Sequence, residues 1–281
     1  MQHARMGLFE SLKRTFNIGG CDLVIRPNGE SFHQGDRLAG TVLLRGGGFV
    51  QEANQLRISL VEFWTESRGS GKNRRTVTVT RDADGAVLAR PCSIGAGEER
   101  EEPFHLTLPL DARLSQPGES TGWKLRVELD VPGAIDPSGT LNLTVEPAAA
   151  LLELARLWTE VLHWNELPRR RSWDQSNRST CFRFEPPAEL QCEFDHLDLA
   201  CRPLPGGDWQ ASLNFDLQEK SLLDRLKAII DIDKAERGLR IPAAALASDG
   251  AARNACAKEL VQLMQGIVDL RTKKPGVDTP R

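Results

Sequence analysis

Tyrosine is absent from the 281 residues. No phenol can therefore act as a general acid, an electrophile or a phosphorylation site, which removes a few mechanisms and selects none. Cysteine is sparse. Cys21, Cys92, Cys181, Cys192, Cys201 and Cys256 lack the close, regular spacing of a disulfide framework, and no C-x-x-C pair occurs, so free thiols in a reducing compartment are expected. Nor does charge of one sign dominate: 36 Lys and Arg stand against 39 Asp and Glu, a formal net charge of -3, so the global field draws in neither nucleic acid nor an anionic membrane. No apolar run approaches the roughly 20 residues that span a bilayer. The N-terminal residues lack the charged-then-apolar pattern of a cleaved signal, and a cytoplasmic location is expected.

What the sequence does hold is strand periodicity. Residues 21 to 146 read as about eight short strands at sandwich-like spacing. The candidates are Cys21 to Arg26, Arg37 to Arg45, Asn54 to Thr65, Arg74 to Arg81, Ala86 to Arg90, Phe104 to Leu110, Trp123 to Val131 and Thr140 to Val145. Leu125, Val127, Leu129 and Val131 alternate with Lys124, Arg126, Glu128 and Asp130, as a strand with one wet face does. Pro27-Asn28-Gly29, Asp82-Ala83-Asp84-Gly85 and Asp136-Pro137-Ser138-Gly139 carry turn chemistry between strands, the last with Asp at i, Pro at i+1 and Gly at i+3.

The period changes after Pro147. Leu151, Leu154, Ala155, Trp158, Val161 and Leu162 repeat at helical spacing over Ala148 to Trp164, which makes this a domain boundary. Arg169 to Ser179 reads as an exposed loop. Phe182 and Phe184, then Leu190, Cys192 and Phe194, alternate with polar residues until the phase slips at Asp195 to His196, as at a β-bulge. Pro205-Gly206-Gly207-Asp208 turns the chain into a strand running from Trp209 to Leu217. A helix is expected to start at Ser221, a short strand at Gly238 to Ile241 ending at Pro242, and an amphipathic helix over 251 to 270.

Candidate chemistry is thin. Gly118-Glu119-Ser120-Thr121-Gly122 matches the G-x-S-x-G pattern of a serine hydrolase, with Ser120 as nucleophile. An elbow of that kind needs a strand before it and a helix after it, whereas a loop precedes and a strand follows, so a polar turn is the better reading. Gly69-Ser70-Gly71-Lys72-Asn73 imitates a phosphate loop, but Glu66 and Asn73 occupy positions that require Gly and Ser or Thr, and a hairpin tip fits better. Cys181, Cys192, His196 and Cys201 form the nearest metal-type cluster, yet alternation separates them, and no metal or cofactor is expected. The histidines (His3, His33, His105, His163 and His196) fall in separate elements and assemble no catalytic set.

Two segments suit binding. In Gly7 to Phe16, Leu8, Phe9, Leu12 and Phe16 form one stripe, with Lys13 beside it; the stripe is expected to cap its own sandwich, with weak contact to a membrane surface as the alternative. The run Arg169, Arg170 and Arg171, followed by Trp173 and Arg178, suits an acidic partner, or RNA with Trp173 stacked on a base; a solvated loop between domains is the commoner explanation.

Three stretches also carry a family resemblance. They are Gly7-Leu8-Phe9 through Ile18-Gly19, with Gly35-Asp36 before Leu38-Ala39-Gly40-Thr41-Val42; Gly46-Gly47 with Val50-Gln51-Glu52-Ala53-Asn54; and Trp123-Lys124-Leu125 running through Leu129-Asp130-Val131-Pro132-Gly133-Ala134-Ile135-Asp136-Pro137-Ser138. Leu239-Arg240-Ile241-Pro242 is a weaker echo. Together they resemble the bacterial sporulation-control protein M (SpoOM-like) family, over nearly all of residues 7 to 147 and more thinly beyond. The resemblance implies a mainly β, arrestin-like tandem of two β-sandwich domains with a short N-terminal helix; the change of period divides them as 1–147 and 148–281 and adds an interdomain helix and a C-terminal helix, the latter, with the basic loop, a departure from the family. The resemblance further implies a non-enzymatic cytoplasmic adaptor or regulatory scaffold acting on other proteins, with no catalytic residue and no cofactor. Nucleic acid is not an expected partner, and self-association is left open. Asp130, Pro132, Asp136 and Pro137 are expected to build a strand end and a turn.

Overall fold

A computed structural model describes residues 20–71, 74–116, 121–191, 194–217, 239–246 and 251–272. The chain divides into two compact units, Met1–Ala148 and Ala149–Arg281. Among the described residues no helix is long and apolar enough to cross a membrane.

The described part of the first unit contains ten strands: β1 (Asp22–Pro27), β2 (Ser31–His33), β3 (Arg37–Arg45), β4 (Gln51–Ala53), β5 (Gln55–Arg68), β6 (Arg75–Ala89), β7 (Cys92–Ile94), β8 (Glu99–Thr107), β9 (Gly122–Asp130) and β10 (Ser138–Glu146). They form a three-stranded sheet in the order β1-β3-β8, a five-stranded sheet β2-β10-β9-β5-β6, and a small pair β4-β7. Only β2 and β10 run parallel; the other pairs are antiparallel. Alternation decides what lies between the sheets. Leu38, Val42, Leu44, Phe104 and Leu106 from one, and Leu56, Ile58, Leu60, Trp123, Leu125, Val127 and Leu129 from the other, belong to a single buried cluster.

The sheet leaves no room at Gly40. A Cβ there would run into the Arg26 carbonyl oxygen and lie 2.8 Å from Phe104 Cζ and Pro27 Cα. Gly40→Ala is therefore expected to cost about 1–3 kcal/mol, the range for overpacking a core. Urea unfolding should show a lower midpoint at an unchanged slope.

One expected turn is strand instead, and a second is strand in its last two residues. Asp82-Ala83-Asp84-Gly85 lies inside β6, whose pairing with β5 slips beside Leu60/Val61 and Leu56/Arg57, so that Ala83 and Leu88 have no partner across the ladder and pack against the core. Asp84 there accepts the Gly85 and Thr107 N–H groups, at 2.8 and 2.7 Å. Ser138 and Gly139 likewise open β10, where Gly139 permits close approach to the Leu23 carbonyl, 2.6 Å from an added Cβ. The chain reverses earlier, at Val131 to Ala134, with Gly133 at φ 70° and Asp136 Oδ1 accepting the Val131 N–H at 2.8 Å.

The second unit begins with α1 (Ala149–Leu162). It continues through β11 (Asn165–Glu166), β12 (Ser172–Asp174), β13 (Ser179–Glu185), β14 (Phe194–Pro203), β15 (Trp209–Leu217), β16 (Leu239–Ile241) and α2 (Ala251–Thr272). A second sandwich was the expectation; the described strands form a single sheet, β11-β13-β14-β15-β16, with β12 also on β13. The reason lies in α1, whose Leu151, Leu154, Ala155, Leu157 and Trp158 are buried. Trp158 meets Phe184 of β13 at 5.9 Å between ring centres, so a helix covers the apolar face that a second sheet would cover in a sandwich. The ladder slips at Asp195, the position of the expected bulge. The β14–β15 reversal uses Gly206 and Gly207 at φ 94° and 90°. The expected helix at Ser221 lies outside the described residues.

Candidate interaction surface

Leu8, Phe9, Leu12, Lys13, Phe16 and Ser120 lie outside the described residues. The basic segment does not; in place of a plain loop it forms a 3₁₀ turn (Pro168–Arg170) and β12. Arg169 and Arg170 are exposed on that turn. Arg171 is turned back into the fold: its guanidinium meets Glu166 at 2.6 and 3.1 Å and lies 5.8 Å from the centre of the Phe182 ring. Trp173 is half-buried, with the Arg178 guanidinium 5.4 Å from its ring centre. Asp174, bonded to the Ser176 hydroxyl and N–H and to Asn177, titrates below the usual carboxylate range, chiefly through the Ser176 hydroxyl. Three consecutive arginines thus present two exposed cations, and one ring face that RNA stacking would use is occupied by Arg178.

Reading along the chain also misses a charged network on the polar face of the second sheet. Arg183 on β13 grips Asp198 on β14 with two 2.7 Å bonds. His196 stands 3.6 Å from Asp198 and 3.4 Å from Asp216 on β15. The signal was available as polar residues at alternate positions of three strands, but the register that joins them was not. Cys181 shares this face, where burial pushes its thiol pKa up and disfavours the thiolate that nucleophilic attack needs. Cys201 is fully buried on the opposite face, and its thiol is likewise pushed up by burial. Cys192, the third thiol of the metal-type cluster, lies outside the described residues.

The first unit carries a different kind of surface. β9 pairs with β5 as far as Phe63 opposite Gly122, whereas β5 and β6 continue to Arg68 opposite Arg75. Trp64–Arg68 and Arg75–Val79 therefore form a two-stranded ribbon running past the sheet. After Arg68 the chain turns with Gly69 and Gly71 at φ 92° and 55°. On one ribbon face the cross-strand pairs are Trp64–Val79, Glu66–Val77 and Arg68–Arg75. Glu66 accepts the Trp64 indole N–H at 2.9 Å and the Arg68 guanidinium at 3.1 Å, and both bonds, the indole first, hold its carboxyl below the usual range. At the ribbon's base Glu62 is buried between Arg81, 2.6 Å away, and Arg113, 3.5 Å away. The Arg113 carbonyl accepts the indole N–H of buried Trp123 at 2.8 Å. β6 ends the sheet, and among the described residues no strand pairs with its outer side. An edge of this kind presents unpaired N–H and C=O groups.

A family model described as SpoOM protein matches residues 9–207. The chain belongs to the SpoOM family. Sporulation-control protein spo0M of Bacillus subtilis (strain 168) is 25% identical over 244 residues, 84% of each chain. The crystal structure of Spo0M, sporulation control protein, from Bacillus subtilis superposes with a TM-score of 0.59 at 18% identity, covering 90% of this chain and 99% of that one. The mainly β fold is shared with that structure.

Several of the described residues that carry the resemblance to the SpoOM family are engaged in architecture. Gly35 turns at φ 85°, and Asp36 accepts the His33 N–H at 2.7 Å. A Cβ on Gly46 would strike the Gly95 carbonyl oxygen. The Asp130 carbonyl accepts the Asn54 N–H at 2.8 Å, and the Pro137 carbonyl accepts the Leu129 N–H at 3.0 Å.

Proposed function

We propose that this SpoOM-family chain is a non-enzymatic regulatory adaptor of the arrestin-like type, acting in the cytoplasm by binding other proteins. Its relative's name, sporulation-control protein, supports a regulatory role. The observation that carries the reading is the outer edge of β6, unpaired among the described residues, on a well-packed sandwich, the kind of surface that recruits an extended segment. Described motif residues such as Asp36, Gly46, Asp130 and Pro137 agree with it, because they are occupied in turns and close backbone contacts.

Crosslinking in the native cell, followed by purification of the tagged chain, is expected to recover defined partner proteins. Recovery of the chain alone would overturn the reading, as would turnover of activated esters that disappears in Ser120→Ala.

A further inference from the structure

The geometry points to a specific occupant for the β6 edge. We infer that Arg75–Asp82 docks an extended acidic segment of a partner protein, added as a further strand beside β6. The inference rests on the adaptor reading and names the partner's chemistry.

Among the described residues the edge is open at one end only. Near Asp84, β6 approaches the other sheet, where Asp84 Oδ2 accepts the Thr107 N–H at 2.7 Å. Toward the ribbon, the side chains of Thr76, Thr78 and Thr80 are exposed and those of Val77 and Val79 half-buried, with no proline in the stretch. β8, the edge of the three-stranded sheet, differs: it carries Pro103 among Glu99, Glu101 and Glu102, features that discourage strand addition. β-branched residues on an unblocked edge are a template for pairing.

Alternation then sets the specificity. Arg75, Val77, Val79 and Arg81 share one face, because both register slips of β6 lie beyond Asp82. Trp64, opposite Val79, widens the apolar centre of that face. Its ends, about 20 Å apart along the strand, are the exposed Arg75 and Arg81, the latter also bonded to Glu62 at 2.6 Å yet 46% exposed. Glu66 is engaged by Arg68 and Glu62 by Arg81, whereas Arg74 and Arg75 have no carboxylate partner among the described residues. The complementary strand carries carboxylates at both ends and two apolar side chains between them, all at alternate positions.

A second copy of this chain fits poorly. Antiparallel pairing of two β6 edges about Thr78 sets Arg75 against Arg81 twice, and like charges directly opposite are destabilising. Duplex nucleic acid fits less well than an acidic strand too, since the centre of the face is apolar and few cations are left to neutralise phosphates.

The test is fluorescence anisotropy on the full chain with a labelled peptide containing Glu-Thr-Val-Thr-Val-Thr-Glu. Controls are the same peptide with Gln for both Glu, a scrambled peptide, one with Lys for both Glu, and a short duplex DNA. The Glu peptide is expected to bind saturably and to raise amide protection over residues 76–82, with the Gln and scrambled peptides weaker by about tenfold or more. Arg75→Glu, at an exposed position, should weaken the Glu peptide by a similar factor and favour the Lys peptide. Equal binding of Glu, Gln and scrambled peptides, indifference to Arg75→Glu, or preferential binding of the DNA would overturn the inference. If the peptides fail while crosslinked partners still co-purify with Arg75→Glu, the docking site is wrong and the adaptor reading stands. If no partner co-purifies with either chain, the adaptor reading fails.

Discussion

Trp158→Ala is expected to destabilise the second unit by about 3–5 kcal/mol, the range for emptying a buried aromatic site. Trp158 is fully buried on α1, 5.9 Å from Phe184 and 6.4 Å from Trp164. Trp164 in turn meets Phe194 at 5.8 Å and Phe215 at 6.0 Å, and those two rings meet at 5.3 Å. Rigid rings cannot collapse into the space an indole leaves, so much of the cavity should remain. The Trp158 indole N–H makes no hydrogen bond among the described residues. Trp158→Phe should therefore restore most of the loss and cost less than about 2 kcal/mol, since no polar partner is abandoned. Native-state hydrogen exchange separates the units: protection of β13 and β14 amides should fall while that of β5 and β9 is kept. A fall of under about 1 kcal/mol in β13 would show that α1 does not hold this sheet.

Glu62→Gln should cost about 3 kcal/mol, at the lower end for breaking a buried ion pair. The side chain is 3% exposed, and its partners differ: Arg113 is 11% exposed and Arg81 is 46% exposed. Loss of the carboxylate removes the counter-charge 3.5 Å from the nearly buried Arg113, while water can solvate Arg81. The control is Glu62→Leu combined with Arg113→Met, which removes both charges and should recover most of the stability. A single substitution as mild as the double one would show that the pair is not coupled. Because Glu62 lies where the ribbon leaves the sheet, Glu62→Gln should also lower amide protection in β6 more than in β3.

Much of this fold was visible in strand and helix periodicity, and its gaps have physical causes. β3 runs over Arg37–Arg45 as its alternation predicts, and the slip at Asp195 was readable because the apolar phase changes there. Three-residue strands such as β2, β4 and β7 are too short to show a period. Asp82-Ala83-Asp84-Gly85 has the letters of a turn, and only its neighbours, the Thr107 N–H above all, decide for a bulged strand. Alternation in β13 to β15 reveals one buried face but not whether a sheet or a helix covers it. Glu62 could have been noticed as a charge continuing the inward series Leu56, Ile58 and Leu60; its partner Arg113 lies in a distant segment that no local pattern connects to it. The arginine run was legible as charge, but Arg171's turn toward Glu166 was not. The open edge of β6 was the least legible, since edge position depends on the order of the whole sheet.

Site-specific photocrosslinking in the cells that make this chain tests most directly the account of an adaptor that binds its partner through the β6 edge. A photoreactive residue placed at Thr78 on the β6 edge is compared with one at Ile135, an exposed position elsewhere on the same unit. The account predicts discrete adducts with a small set of proteins from Thr78, lost in Arg75→Glu and absent from Ile135. The same adducts from both positions, or none from Thr78, would contradict it.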